Sequence, residues 1–205
     1  MNSMTEEELN RRHSEKMKKK KAARDKIIAT KTIERGLIMV HTGKGKGKST
    51  AAMGLAMRAI GNGMKVGIIQ FVKGVWDTGE RKVLEAFPNL CVMRAMGDGF
   101  TWETQDRKRD LDAARNAWNF AKDMISDSSF DLIILDEINI VLRYDNLPVD
   151  EVVYTLKRKR KMLHILATGR NAKDELIEIA DLVTEMTQIK HPFRSGVKAQ
   201  RGIEY

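Results

Sequence analysis

The sequence predicts an α/β fold in which a mostly parallel sheet lies between two layers of helices, preceded by a charged helical arm. Three observations carry this. Strand and helix signals alternate along most of the chain, a glycine-rich turn joins the first strand to the first helix, and positive charge is concentrated at the N-terminus. With 205 residues and 42% hydrophobic content, the chain can bury one substantial core with little left for a second. The expected division is an arm over 1–35 and one α/β domain over 36–205.

Residues 1–35 hold eleven Lys/Arg against six Asp/Glu, so +5 of the net +9 sits there and only +4 is spread over the remaining 170 residues. Lys16, Lys18 to Lys21, Arg24 and Lys26 form its basic centre. Such a segment reads either as a solvated tail or as a helix that covers an anionic ligand. Cys91 is the single cysteine, which excludes an internal disulfide and fits a reducing compartment. No run resembles a signal peptide or a membrane span, and a cytoplasmic location is expected.

The elements follow in order. Strands are expected over Leu37 to His41, Val66 to Val72, Cys91 to Ala95, Leu132 to Leu135, Leu163 to Thr168 and Leu182 to Glu185, all short apolar runs suited to a sheet covered on both faces. Helices are expected between them, over Thr50 to Ile60 (closed by Gly61), Glu80 to Ala86, Arg107 to Ile125, Val149 to Lys157 and Asp174 to Ala180. Ala114, Trp118, Ala121 and Ile125 recur at helical spacing and are expected in the core. The basic run Lys157 to Lys161 reads as a solvated helix end, its cations complementing the helix C-terminus.

Residues 42–50 read Thr-Gly-Lys-Gly-Lys-Gly-Lys-Ser-Thr between the first strand and first helix. Without Cβ atoms at Gly43, Gly45 and Gly47, successive backbone N–H groups are free to converge on phosphate oxygens. Lys48 adds a point charge, and Ser49 is placed to offer its hydroxyl to Mg²⁺. This is a phosphate-binding loop, and the fold it implies is P-loop NTPase-like. The usual motif begins with a glycine, then four intervening residues, then Gly-Lys-Ser/Thr, and that first position falls here on Thr42. Gly43 comes one residue late.

The run Phe130 to Leu135 closes on Asp136 and Glu137, a buried strand with carboxylates at its end. Ligands of open parallel sheets bind beyond the carboxyl ends of the strands, where the glycine loop also opens. Ser49, one or both acids and a triphosphate provide the few hard oxygens that Mg²⁺ prefers. The expected nucleotide site is Thr42, Gly43, Lys44, Gly45, Lys46, Gly47, Lys48, Ser49 and Thr50, with Ser49, Asp136 and Glu137 toward the metal. His13, His41, His164 and His191 form no evident catalytic cluster.

These motifs do not say how the nucleotide is used. The segments Gln70-Phe71-Val72-Lys73-Gly74, Gly99-Phe100-Thr101-Trp102-Glu103-Thr104-Gln105, Leu135-Asp136-Glu137, Thr168-Gly169-Arg170 and Gly196-Val197-Lys198-Ala199-Gln200, with the loop itself, resemble the ATP:corrinoid adenosyltransferases of the bacterial cobalamin pathway. The resemblance runs from about Gly36 to Tyr205. That family's loop, Gly-Asn-Gly-Lys-Gly-Lys-Thr-Thr, also has its first glycine late. Here Lys44 stands in place of the Asn and Ser49 in place of the first Thr.

The resemblance implies transfer of the 5′-deoxyadenosyl group of ATP to the Co(I) of a corrinoid, cob(I)yrinic acid a,c-diamide or cob(I)alamin, with release of triphosphate. Lys46 and Lys48 would stabilise the leaving triphosphate together with Mg²⁺, and no side-chain base is required. Thr42 at the first loop position would accompany a reversed triphosphate whose ribose end faces the nucleophile. Phe100 and Trp102 would line the corrin ring on its lower cobalt face. The resemblance further implies a homodimer in which the N-terminal helix covers the partner's site, and a flavodoxin-like electron donor. Two alternatives use the same loop: a nucleic-acid-stimulated ATPase, suggested by the basic runs, and a nucleotide-gated interaction module without catalysis.

Overall fold

The computed structural model describes residues 4–72, 78–96 and 106–204. The chain divides into two compact units, Met1–Glu34 and Arg35–Tyr205.

The first unit is one long helix, α1 (Glu6–Ala29), with none of its residues buried. Its start is specified locally. Thr5 accepts a hydrogen bond from the Glu8 N–H while the Glu8 carboxylate accepts from the Thr5 N–H, and three glutamates in the first turn complement the helix dipole.

The second unit holds β1 (Ile38–Thr42), α2 (Lys48–Gly61), β2 (Val66–Gln70), α3 (Gly79–Glu85), β3 (Cys91–Ala95), α4 (Arg107–Ser126), β4 (Leu132–Asp136), α5 (Ile138–Arg143), α6 (Val149–Lys157), β5 (His164–Thr168), α7 (Asp174–Glu178) and β6 (Leu182–Glu185). The six strands form one sheet in the order β3-β2-β4-β5-β1-β6, every pair parallel. Alternate residues of each central strand enter opposite cores. Ile133 and Leu135 of β4 pack with Trp118 of α4 and with α5 to α7, whereas Leu132 and Ile134 pack with Met53 and Ala56 of α2 and Leu84 of α3. Burial on both faces explains why the strands read as unbroken apolar runs.

Ala114, Trp118, Ala121 and Ile125 are all buried on α4, as their spacing predicts. The strand expected over Val66 to Val72 stops at Gln70. Phe71 leaves the ladder with its N–H donated to the Asp136 carbonyl, and its side chain still enters the core. Helix α5 was not expected from the sequence: six residues are too few for a helical period to separate from a strand run. It follows Glu137, which adopts the left-handed conformation (φ 62°) and turns the chain sharply after β4.

Two of the five cations in the basic run at the end of α6 depart from the expected role of a solvated helix end. Lys159 Nζ donates to the Gly36 carbonyl at 2.9 Å, and Arg160 Nη2 donates to the carbonyls of Asp127 (2.9 Å) and Phe130 (2.6 Å). Lys157, Arg158 and Lys161 stay exposed, with Lys157 in the last turn of α6 and Arg158 5.0 Å over the Tyr154 ring. Lys159 and Arg160 satisfy loop carbonyls that the ladder leaves unpaired.

Candidate active site

At the carboxyl end of the sheet, four neighbouring strands finish in polar residues: Gln70 of β2, Asp136 of β4, Thr168 of β5 and Thr42 of β1. All four are buried, and so are Lys48 and Asn139 beside them. Among the described residues these six are the whole set of buried polar or charged side chains. Buried polar groups are costly unless partnered, so their concentration at one edge marks a site built for chemistry rather than for packing.

The partners form a connected network. Ser49 Oγ and Thr168 Oγ1 each donate to Asp136 Oδ1 at 2.8 Å, and Gln70 Nε2 stands 3.4 Å from Oδ2. The Glu137 N–H donates to Thr168 Oγ1 at 2.9 Å, and Asn139 Nδ2 donates to the Gly169 carbonyl at 3.0 Å. Strand β5 lies between β4 and β1 in the sheet, which is how Thr168 comes to join the acid to the loop side.

The loop is shaped by the chain behind it as much as by any ligand. A Cβ on Gly43 or Gly45 would stand 2.4 or 2.7 Å from the Met186 carbonyl oxygen, so these glycines admit the segment following β6. Hydrogen bonds from the Gly45 N–H to Met186 O (2.6 Å) and from the Met186 N–H to Thr42 O (2.9 Å) hold that contact. Gly43 (φ 95°) and Gly47 (φ 103°) also adopt a conformation L side chains resist, and at Gly47, which begins α2, that conformation is the whole requirement, since an added Cβ would meet no backbone. No side chain caps α2, so its first N–H groups face the loop's concavity.

Lys48 is buried and folds back to the Gly45 carbonyl at 2.5 Å. Burial lowers its pKa, the Glu137 carboxylate opposes that shift, and the Arg170 guanidinium adds to it. Burial likewise lowers the pKa of His41, at the end of β1, with the Lys48 backbone opposing. Lys46, at the loop tip, is half-exposed and paired with Glu204. The Thr42 hydroxyl accepts from the Ala172 N–H at 3.0 Å. Lys44 is exposed and, with Thr42, Asn171, Ile177, Glu185 and Arg194, lines a cavity of about 520 Å³ beside the loop. Thr50 is exposed in the first turn of α2.

The oxygens present suit Mg²⁺. A serine hydroxyl hydrogen-bonded to a buried carboxylate is a hard donor set. Among the described residues no group of three or more His, Cys, Asp or Glu could hold a metal ion, so any cation here draws most of its ligands from phosphate and water.

Phe100 and Trp102 lie outside the described residues, in the segment joining β3 to α4. Sequence reasoning missed Gln70, Thr168, Asn139 and Arg170 as site residues. Each sits in or next to a segment with a recognisable ending, yet only the strand order brings them to Asp136 and Lys48. Among the described residues no helix is long and apolar enough to cross a membrane.

Comparison with known proteins agrees with this architecture. Residues 34–205 match the family described as ATP:corrinoid adenosyltransferase BtuR/CobO/CobP. A corrinoid adenosyltransferase of Sinorhizobium sp is 58% identical over 196 residues, covering 95% of this chain and 92% of the relative. A corrinoid adenosyltransferase of Pseudomonas aeruginosa is 46% identical, covering 97% and 98%. One of Escherichia coli K12 is 45% identical, covering 95% and 98%.

Proposed function

We propose, from the premise that this chain belongs to the ATP:corrinoid adenosyltransferase family, that the buried polar edge of its sheet binds ATP for attack at C5′ rather than at phosphorus. The chain is an enzyme that transfers the 5′-deoxyadenosyl group of ATP to the Co(I) of a corrinoid and releases triphosphate. In that step the cobalt electron pair forms the Co–C bond as the C5′–O bond breaks. The departing oxygen keeps the bonding pair and leaves with the triphosphate.

The single observation that carries the site assignment is the gathering, beside the glycine loop, of all six polar side chains buried among the described residues. In this reading the N–H groups of the loop and of the first turn of α2 hold phosphate oxygens, and Lys48 shifts from the Gly45 carbonyl to the phosphate. Lys46 adds a second cation. Asp136, held by Thr168 and Gln70, keeps the Ser49 hydroxyl oriented, so that Ser49 and Asp136, with Glu137 adjacent, are the residues that would hold Mg²⁺. When bound, that ion would neutralise charge growing on the triphosphate. No side-chain base is invoked, because the nucleophile carries no proton to remove. The remaining catalytic contribution is alignment of cobalt, C5′ and leaving oxygen.

The reading extends to parts of the chain beyond this network. Phe100 and Trp102 would line the corrin ring, the basic helix α1 would cover a partner's site in a homodimer, and a flavodoxin-like protein would deliver the electron in the cytoplasm. The nucleic-acid-stimulated ATPase alternative finds no support among the relatives, and two cations of one basic run are already bound to loop carbonyls.

The test is anaerobic. Purified protein, MgATP and chemically generated cob(I)alamin should yield a light-sensitive adenosylated corrinoid and intact triphosphate. ADP and orthophosphate with an unchanged corrinoid would overturn the proposal.

A further inference from the structure

The C-terminal segment ends on the phosphate loop. Lys46, at the loop tip between Gly45 and Gly47, forms an ion pair with Glu204, 158 positions along the chain. A tight turn presents that carboxylate, the N–H groups of Ile203 and Glu204 both donating to the Gln200 carbonyl (3.2 and 2.8 Å). Up to Met186 the backbone is held by β1 and the loop, but beyond it the segment has little side-chain hold on the body. From residue 181 to 204 no side chain is buried, and Ile189, Phe193 and Ile203 are 90%, 79% and 82% exposed. The Glu204 side chain, 20% exposed, is among the more enclosed groups of this stretch, and its ion-pair partner is Lys46 of the loop.

We infer that Glu204 is an internal anion that occupies Lys46 while the nucleotide is absent and competes with the triphosphate for it. This rests on the reading of the loop as the triphosphate site. A triphosphate brings several negative charges to the loop. One ammonium cannot fully serve both it and Glu204, and like charges held at one cation repel. Binding of the polyphosphate therefore releases Glu204 and, with it, the end of the C-terminal segment. By linkage the effect is reciprocal: whatever Glu204 subtracts from polyphosphate affinity, bound polyphosphate subtracts from the seating of the segment.

The test uses the full chain and two probes, inorganic tripolyphosphate and MgATP, with binding followed by calorimetry. Glu204→Gln should bind both about fivefold tighter, the factor expected for a half-exposed ion pair of about 1 kcal/mol. In a Lys46→Met background the same substitution should change affinity little, because the competed cation is gone. A merely structural role for Glu204 would alter both backgrounds alike. In the unsubstituted protein, tripolyphosphate should also speed tryptic cleavage after Arg201, and Glu204→Gln should be cut quickly without it. Glu204→Ala repeats the comparison should the amide disturb the turn. Unchanged or weaker binding by both variants, with the unsubstituted protein still binding, would overturn the inference alone. Failure of the unsubstituted protein to bind either probe would overturn the nucleotide reading and this inference with it.

Discussion

The two ends of the sheet carry clusters of cations that look alike in sequence, yet only one of them borders a glycine loop and a cavity. At the carboxyl end Lys44, Lys46 and Lys48 stand around a glycine loop bordered by a cavity. At the amino end Lys159 and Arg160 are bonded to the carbonyls of Gly36, Asp127 and Phe130. Near them Arg35 pairs with Asp181, whose carboxylate also accepts from the Ile38 N–H at 2.9 Å. The loop end leaves backbone N–H groups at the start of α2 for a ligand, whereas the other end spends its charges on its own backbone. Lys46 and Lys48 have internal partners too, Glu204 and the Gly45 carbonyl, so what sets the loop end apart is its uncapped helix start and the cavity beside it.

The largest test of this contrast is Lys48→Met. Adenosyl transfer should fall about 10²- to 10³-fold, the scale for losing one preorganised group at a developing charge. Thermal stability should change little, because removing a charge that burial disfavours is offset by loss of the donor to the Gly45 carbonyl. Steady-state kinetics and melting curves on one preparation would show both. A mutant that lost activity and stability together would instead make Lys48 a structural cation like Lys159.

Asp136→Ala should be smaller in rate but visible in both measurements. It leaves the Ser49 and Thr168 hydroxyls without their acceptor, a cost of about 1–3 kcal/mol in chemical unfolding, while activity drops through misplacement of Ser49.

At the opposite end, Lys159→Met and Arg160→Met should each cost about 1–2 kcal/mol of stability, since each leaves loop carbonyls short of a charged donor. Turnover and KM for ATP should stay unchanged. A change in either kinetic constant would break the division between the two ends.

The smallest effect expected is a decline in stability as pH falls below the ordinary histidine value of 6.5. Burial lowers the pKa of both His41 and His164. His164 Nδ1 accepts from the Leu37 N–H and must stay unprotonated to do so. Below 6.5 the unfolded chain therefore takes up protons that the native chain excludes, so stability rises with pH through this window and falls toward acid. Urea midpoints at several pH values between 7 and 5 would measure the trend. His164→Gln should flatten it, which sharpens the contrast by assigning part of the acid sensitivity to the amino end.

How much of this was legible in the chain depends on the range of the interaction. Strands Cys91–Ala95 and Leu182–Glu185 and helix Val149–Lys157 stand at the boundaries their sequence predicts, since apolar runs and helical spacing are local properties. Helix α5 was hidden because six residues are too few to show a period, and the left-handed turn at Glu137 has no marker in the sequence. The glycine loop was readable, but part of its cause was not. Gly43 and Gly45 admit the Met186 segment, 141 to 143 positions away, whereas backbone conformation alone accounts for Gly47 and adds a second reason at Gly43.

The sequence by itself determined the phosphate loop, the acid-tipped strand β4, the alternation that makes a parallel sheet, and a resemblance that the relatives bear out. Each of those signals is carried by short stretches of chain, within which spacing and side-chain chemistry suffice. Tertiary structure alone decided that Gln70 and Thr168 hold Asp136, that Lys159 and Arg160 serve backbone carbonyls, and that Glu204 meets Lys46. Each of these depends on strand order or on the path of the chain end, and such long-range pairings follow from how the whole sheet buries its two faces rather than from any local pattern.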